Sequence, residues 1–387
     1  MKIVQIVSQM EAGGAQKVAS LLTEGLRQRG HDAQLWFLYK KRPAFELNTY
    51  TSCLHPRRPA TAGWCLAAVR AWRKLRDLQP DVVLTHTHSA NVFAAPIAAM
   101  AGVPVRVAVH HNPVETYTRL TRTMDRYAFR MGSYSEMIAV SDGVRQSFSD
   151  HSSRYNKRLH RIYNGIDTAG KIDTGDIRAR YQIPDRHALL VNVGRLAEQK
   201  NQGLLLEMLT QIPEATLMLI GDGELGVALR RTASWLGVSD RVRFTGELAS
   251  DKVAAILRQA DLFLLPSRYE AFCLAAVEAM HHGVAVVASD LPCLREVLGD
   301  GQLFFTVDNV NKLAEIVKRL LSTPLERAAM ARAGKVRAEN FSVDRMVGEY
   351  EALMAEALLY AQPRKSATNN FRRSDALGSV ARVHDQL

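Results

Sequence analysis

Short β-branched runs alternate with longer amphipathic stretches along most of the chain. "KIVQIVS" (2–8) precedes the helically periodic "GAQKVASLLTEGLRQRG", and "DAQLWFLY" (32–39) follows it. "DVVLTHT" precedes an alanine-rich helical segment that leads into "PVRVAVHHN" (104–112). Strands alternating with helices in this way predict βαβ units and parallel sheets. The series breaks at "RIYNGIDTAG" (161–170), rich in Gly, Asn and Asp, and then restarts. "ALLVNVGRL", "ATLMLIGDG", "RVRFTGEL", "DLFLLPS" and "VAVVASD" are the strands of the second series, with helical patterns between them.

The pattern predicts two doubly wound α/β domains, over residues 1–165 and 188–342, joined by a linker over 166–187. In such sheets ligands bind at the carboxyl ends of the strands, so two facing domains place the main site in the cleft between them. A last helix is expected over 343–360. Residues 361–387 are polar, with five Arg/Lys and two Asp, and are expected to be a mobile basic tail.

Composition narrows the class. The 387 residues are 47% hydrophobic, enough for two cores. Four cysteines without CxxC pairing give no disulfide framework or zinc site, which fits a reducing compartment. No apolar run reaches the roughly 18 residues of a membrane span, and the amino-terminal run is too short for a signal peptide. A cytoplasmic protein is therefore expected.

The net charge of +11 lies in the first half. Residues 1–165 hold 23 Lys/Arg and 11 Asp/Glu. Clusters at Lys40–Arg42 and Arg57–Arg58 fit either a solvated surface or contact with anionic lipid on the inner face of a membrane. With 7% aromatic residues and no stacking motif, nucleic acid is not an expected partner.

Several segments carry candidate chemistry. Gly13 and Gly14, between the first strand and first helix, allow close backbone approach at a helix N-terminus that favours phosphate. Arg195 and Lys200 follow the first strand of the second domain, where Arg can grip two diphosphate oxygens and Lys adds a point charge. His110 and His111 end a strand and point to opposite faces, so only one need face the cleft. Together with His86 and His88 they do not make a convincing metal site. The G-x-G-x-x-G of Gly221, Gly223 and Gly226 looks like a dinucleotide fingerprint. It falls mid-domain, however, and Asp222 and Glu224 would oppose a pyrophosphate. A tight turn bordering the cleft is the better account.

"SRYEAFCLAAVEAM" (267–280) sets Glu270 and Glu278 eight residues apart in an apolar run. On one helix that spacing is about 12 Å along the axis and about 80° around it. Read alone, Glu270 could be part of a helix cap and Glu278 a half-buried partner for a basic side chain.

Taken together, "GGAQKVA", "VHHN", "IAVSDGV", "IYNGID", "VGRLAEQKN", "LIGDGEL", "VRFTGEL" and "EAFCLAAVE" resemble the retaining GT-B glycosyltransferases of family 4, over roughly residues 1–345. The resemblance implies two Rossmann-like domains and a nucleotide diphosphate sugar donor, with a UDP-sugar the first expectation. It implies a glycan or lipid-linked acceptor in bacterial cell-surface polysaccharide synthesis, lipopolysaccharide included, and neither a cofactor nor a metal. Glu270 would face the transferred hexose or N-acetylhexosamine, and Glu278 the ribose. Backbone N–H groups of Phe272, Cys273 and Leu274 would meet phosphate or sugar. Arg195 and Lys200 match the diphosphate pair, Gly14 the first-domain phosphate contact, and His111 the histidine near the sugar, with His110 the alternative.

This chain departs from the family pattern at Ala271 and Cys273, where glycine is usual, and at His281 and His282, where small residues are usual. A nucleotide-sugar epimerase of the same fold and a non-enzymatic membrane-surface protein are the alternatives.

Overall fold

A computed structural model of the protein describes residues 1–361 except 12, 43–44 and 169–174. The expected basic tail lies outside the described residues from 362 onward, as does part of the expected linker.

The first sheet has seven strands: β1 (Lys2–Met10), β2 (Asp32–Lys40), β3 (Thr51–Cys53), β4 (Val82–His86), β5 (Val105–His110), β6 (Glu136–Ala139) and β7 (Leu159–Arg161), in the order β3-β2-β1-β4-β5-β6-β7. The second has six: β8 (Ala188–Val193), β9 (Ala215–Ile220), β10 (Val242–Gly246), β11 (Leu262–Leu265), β12 (Ala285–Ser289) and β13 (Leu303–Phe305), ordered β10-β9-β8-β11-β12-β13. Among the described residues every pairing of these strands is parallel. The protein has the GT-B architecture of two Rossmann-like domains.

Parallel strands need crossover helices, which cover both faces of the sheet. The central strands are accordingly largely apolar and buried, and every residue of β9, β11 and β12 is buried. Strand order reverses between β1 and β4 in one sheet and between β8 and β11 in the other. The segments leaving those four strands carry Gly13–Gly14, Thr87, Arg195 and Glu270. Both switch points thus deliver chemistry to one cleft.

The final helix, Val343–Ala361, returns to the first sheet and packs on the helix Gly14–Gln28. A Cβ on Gly25 would lie 2.5 Å from Val347 Cγ2, so the bare glycine permits the approach. Arg29 pairs with Asp344 at 2.6 Å and with Glu351 at 2.8 Å. The chain passes between the units at two adjacent places. Ile166 N–H donates to the Phe341 carbonyl at 2.8 Å, and Ile166 bridges Ser342.

Candidate active site

The cleft encloses about 900 Å³, lined from both domains. From the first come Gly13, Gly14, Lys17, His111 and Asn112; from the second come Arg195, Lys200, Phe272, Cys273, Leu274 and both glutamates.

Glu270 lies in the loop after β11, while the helix begins only at Leu274 and carries Glu278. The 80° separation of a continuous helix therefore does not apply. Glu270 is buried, and its Oε1 takes a hydrogen bond from Ser267 Oγ at 2.7 Å and an ion pair from Lys200 Nζ at 2.5 Å. Burial opposes the charge on Lys200, but the Glu270 carboxylate outweighs it and holds the ammonium pKa above its ordinary value. Gly194 leaves room for the Lys200 stem, since a Cβ there would sit 3.4 Å from Lys200 Cε. Arg195 is exposed in the cleft, and its guanidinium makes no ion pair with any described residue.

Cys273 caps the helix Leu274–His281 with φ +70°, a left-handed conformation that glycine adopts more easily. Its thiol is pushed up to about 12, by burial first and then by the charge of Glu270. The Cys293 thiol donates to the Glu270 carbonyl at 2.9 Å and is likewise pushed up to about 12, chiefly by burial. Both are inert as nucleophiles at neutral pH. The N–H groups of Phe272, Cys273 and Leu274 have no protein acceptor among the described residues. They form a donor array at a helix N-terminus, suited to an anion. Gly14 faces it across the cleft, where an added Cβ would stand 3.9 Å from Leu274 Cδ1.

The histidine pair divides as alternation requires. His110 turns inward, between Tyr117 OH at 3.0 Å and Tyr155 OH at 3.1 Å. Tyr155 in turn donates to Asp125 at 2.9 Å, within a fully buried group. His111 lines the cleft, with Nε2 3.0 Å from His86 Nδ1. Burial and then the neighbouring His110 push His111 down to about 3, so its ring is neutral. His86 is committed to hydrogen bonds with His111 and Gln5.

The glycines of the G-x-G-x-x-G run serve a backbone contact. A Cβ on Gly221 would fall 2.2 Å from the Gly194 carbonyl oxygen, and one on Gly223 would fall 2.3 Å from that of Leu196. They let the loops after β8 and β9 lie against each other at the cleft wall.

The model for glycosyl transferases group 1 matches residues 173–337, and that for glycosyltransferase family 4 matches residues 12–169. A GDP-mannose-dependent alpha-(1-6)-phosphatidylinositol monomannoside mannosyltransferase of Mycolicibacterium smegmatis is 30% identical over 260 residues, 62% of this chain and 67% of that one. The chain belongs to the family 4, group 1 glycosyltransferases.

A 2-deoxystreptamine glucosyltransferase of Streptomyces kanamyceticus is 26% identical, covering 74% of this glycosyltransferase and 80% of its relative. The crystal structure of Anabaena HepE with UDP and glucose shares the fold, with a TM-score of 0.79 at 20% identity over 92% of this chain and all of that one.

Among the cleft residues of this glycosyltransferase outside the expected set is Lys17. Lys17 Nζ reaches Glu278 Oε1 at 2.5 Å. A signal was present: Lys17 sits in the first turn of a helix, where its charge opposes the macrodipole, and such a cation calls for an external anion. Two residues of the Lys40–Arg42 cluster have acidic partners. Lys41 pairs with Glu11, and Arg42 reaches Asp222 at 3.4 Å, so the cluster edges the cleft and is already partly neutralised.

Proposed function

We propose that the enzyme is a retaining hexosyltransferase or N-acetylhexosaminyltransferase that uses a UDP-sugar and a glycan or glycolipid acceptor. The observation that carries this reading is the convergence of Arg195, Lys200, Glu270 and Glu278 with the free N–H groups of Phe272–Leu274 in one interdomain cleft. The UDP and glucose of the HepE complex support the donor class, and the lipid named in the mycobacterial relative supports a lipid-linked acceptor.

In this reading the N–H array and the Arg195 guanidinium bind the diphosphate, and Glu278 accepts hydrogen bonds from the ribose. The bond between the anomeric carbon and the phosphate oxygen breaks while the acceptor oxygen bonds to that carbon on the same face. The acceptor proton passes to the leaving phosphate. Negative charge grows on the diphosphate, where prearranged cations and dipoles stabilise it without reorganising. Glu270 orients sugar hydroxyls rather than attacking, because Lys200 and Ser267 already hold its Oε1. His111 accepts a hydrogen bond from the sugar.

Among the described residues no helix is long and apolar enough to cross a membrane. Peripheral contact with an anionic bilayer is part of the proposal, and the helix Arg119–Arg130 is its best carrier. Leu120, Met124, Tyr127 and Met131 stand exposed at every third or fourth residue, with exposed Arg119, Arg126 and Arg130 alongside.

Thermal unfolding with UDP, GDP, ADP and NAD near millimolar tests the donor assignment. A ligand at 100 times its Kd adds about 2.7 kcal/mol. The reading expects stabilisation by UDP that Glu278→Ala abolishes, and product only when acceptor is present. A sugar product formed without acceptor would mark an epimerase instead.

A further inference from the structure

Behind His111 a line of buried polar groups runs into the first domain. His86 Nδ1 faces His111 Nε2 at 3.0 Å, His86 Nε2 faces Gln5 Oε1 at 2.7 Å, and Gln5 Nε2 faces Thr23 Oγ1 at 2.7 Å. The Thr23 hydroxyl donates to the Ala19 carbonyl at 2.8 Å. Gln5, Thr23 and His86 are all 1% exposed or less, so no bulk solvent supplies other partners.

The proton positions in this line follow from its far end. Thr23 spends its single hydrogen on Ala19, so toward Gln5 it can only accept. Gln5 therefore turns its amide nitrogen to Thr23 and its carbonyl oxygen to His86. A carbonyl oxygen cannot donate, so His86 must carry its proton on Nε2. His86 is neutral, because burial and then the neighbouring His111 push its pKa well below the ordinary value. Its Nδ1 is consequently a bare lone pair that accepts the Nε2 proton of His111. His111 is neutral too, so its Nδ1 has no hydrogen, and that nitrogen has no protein partner among the described residues. Reversing the line would forfeit the Thr23–Ala19 bond.

We propose that Thr23, Gln5 and His86 are positioning residues that fix the His111 tautomer, so that the cleft meets a hydrogen-bond acceptor at Nδ1 and not a donor. The ligand group this suits is a hydroxyl, such as one on the transferred sugar. It excludes a bare carbonyl or phosphate oxygen at that point, because two lone pairs would face each other. The choice of sugar hydroxyl as the group rests on the proposed glycosyl transfer, while the tautomer does not.

Nitrogen NMR of the full-length protein labelled with 15N-histidine reads the tautomer directly, with the His111 signals assigned by their absence in His111→Gln. The expected spectrum has protonated Nε2 and unprotonated Nδ1. Gln5→Leu removes the acceptor for His86 Nε2, and a buried orphan N–H is less tolerated than an orphan lone pair. His86 should then move its proton to Nδ1 and donate to His111, transferring the His111 proton to the cleft side. In the same variant, turnover of the nucleotide sugar should fall roughly tenfold, as for loss of one buried hydrogen bond. Affinity for UDP alone should stay unchanged, whereas general damage to the domain would lower both.

A wild-type His111 protonated on Nδ1, or a tautomer unmoved in Gln5→Leu, would overturn the proposal. Failure of every variant to bind UDP would count against the donor assignment and leave the tautomer result standing.

Discussion

Lys17 Nζ lies 2.5 Å from Glu278 Oε1, and this one ion pair ties the first helix of the first domain to the helix Leu274–His281 of the second. The Lys17 side chain is 35% exposed and that of Glu278 15%, so water screens the pair in part and a contribution of about 1 kcal/mol is reasonable. That is enough to shift an open–closed equilibrium roughly fivefold. Lys17→Met should therefore open the ligand-free cleft, seen as a larger radius of gyration by small-angle scattering. An unchanged scattering profile would mean that the pair does not hold the domains together.

The strain at Cys273 can be separated from its packing. Alanine and glycine at this position both remove the thiol, but only alanine keeps a Cβ at φ +70°. Cys273→Gly should consequently be more stable than Cys273→Ala by about 1 kcal/mol. Urea unfolding of the two variants measures the difference, and equal midpoints would remove the strain argument.

Where the chain crosses between domains, Gly165 has no room for a side chain. A Cβ would lie 2.7 Å from Val343 Cα and 2.8 Å from the Ser342 oxygen, both backbone atoms. Gly165→Ala must displace one crossing from the other, at about 1–3 kcal/mol as in other overpacked sites. Loss of stability in chemical unfolding is the expected result, and a wild-type midpoint would show that the crossings slide freely.

Asp125 receives hydrogen bonds from Tyr134 at 3.0 Å and Tyr155 at 2.9 Å, yet burial outweighs them and raises its pKa. Between the ordinary carboxylate pKa and the raised one, the folded state binds more protons than the unfolded state. Stability must then fall as pH rises through that window and level off above it. In Asp125→Asn the carbonyl can accept from Tyr134 and the amide can donate to Tyr155. The Tyr155 hydrogen then turns to His110 Nε2, 3.1 Å away, as the single proton of neutral His110 moves to Nδ1 and donates to Tyr117 OH. The variant should therefore gain on the wild type as pH rises through the window. Parallel pH curves for the two proteins would show that Asp125 does not titrate on folding.

The alternation of apolar runs with periodic helices was enough to read the two parallel sheets, because buried central strands such as β9 and β12 leave nearly unbroken apolar runs. The edge strands β3, β7 and β13 span only three residues each and leave no such signature. Arg195, Lys200, Glu270 and Glu278 stand in recognisable segments, and the fold brings all four to one cleft. Lys17 and Glu278 are 261 residues apart, a pairing that local pattern does not encode. Strand alternation separates His110 from His111, but the aromatic packing of Tyr117, Phe148 and Tyr155 around His110 decides which turns inward. The same limit applies to the last helix, whose return to the first domain depends on Arg29 and Gly25 far earlier in the chain.

The exposed stripe Leu120, Met124, Tyr127 and Met131 has no cover among the described residues, and Arg119, Arg126 and Arg130 flank it. An apolar stripe beside a basic one suits a helix lying in the headgroup layer of an anionic bilayer. Near such a surface each basic residue adds about 1 kcal/mol of attraction, so Arg126→Gln with Arg130→Gln should weaken vesicle binding roughly thirtyfold. Tyr127→Ser should weaken it further by removing an interfacial ring. Arg57→Gln with Arg58→Gln removes the same charge elsewhere on the first domain. Cosedimentation with phosphatidylglycerol vesicles, against phosphatidylcholine controls, compares the sets. A greater loss from the helix variants assigns the contact to that helix. An equal loss from both reduces it to net charge, and no loss from either leaves the acceptor to reach the cleft without the enzyme docking on the bilayer.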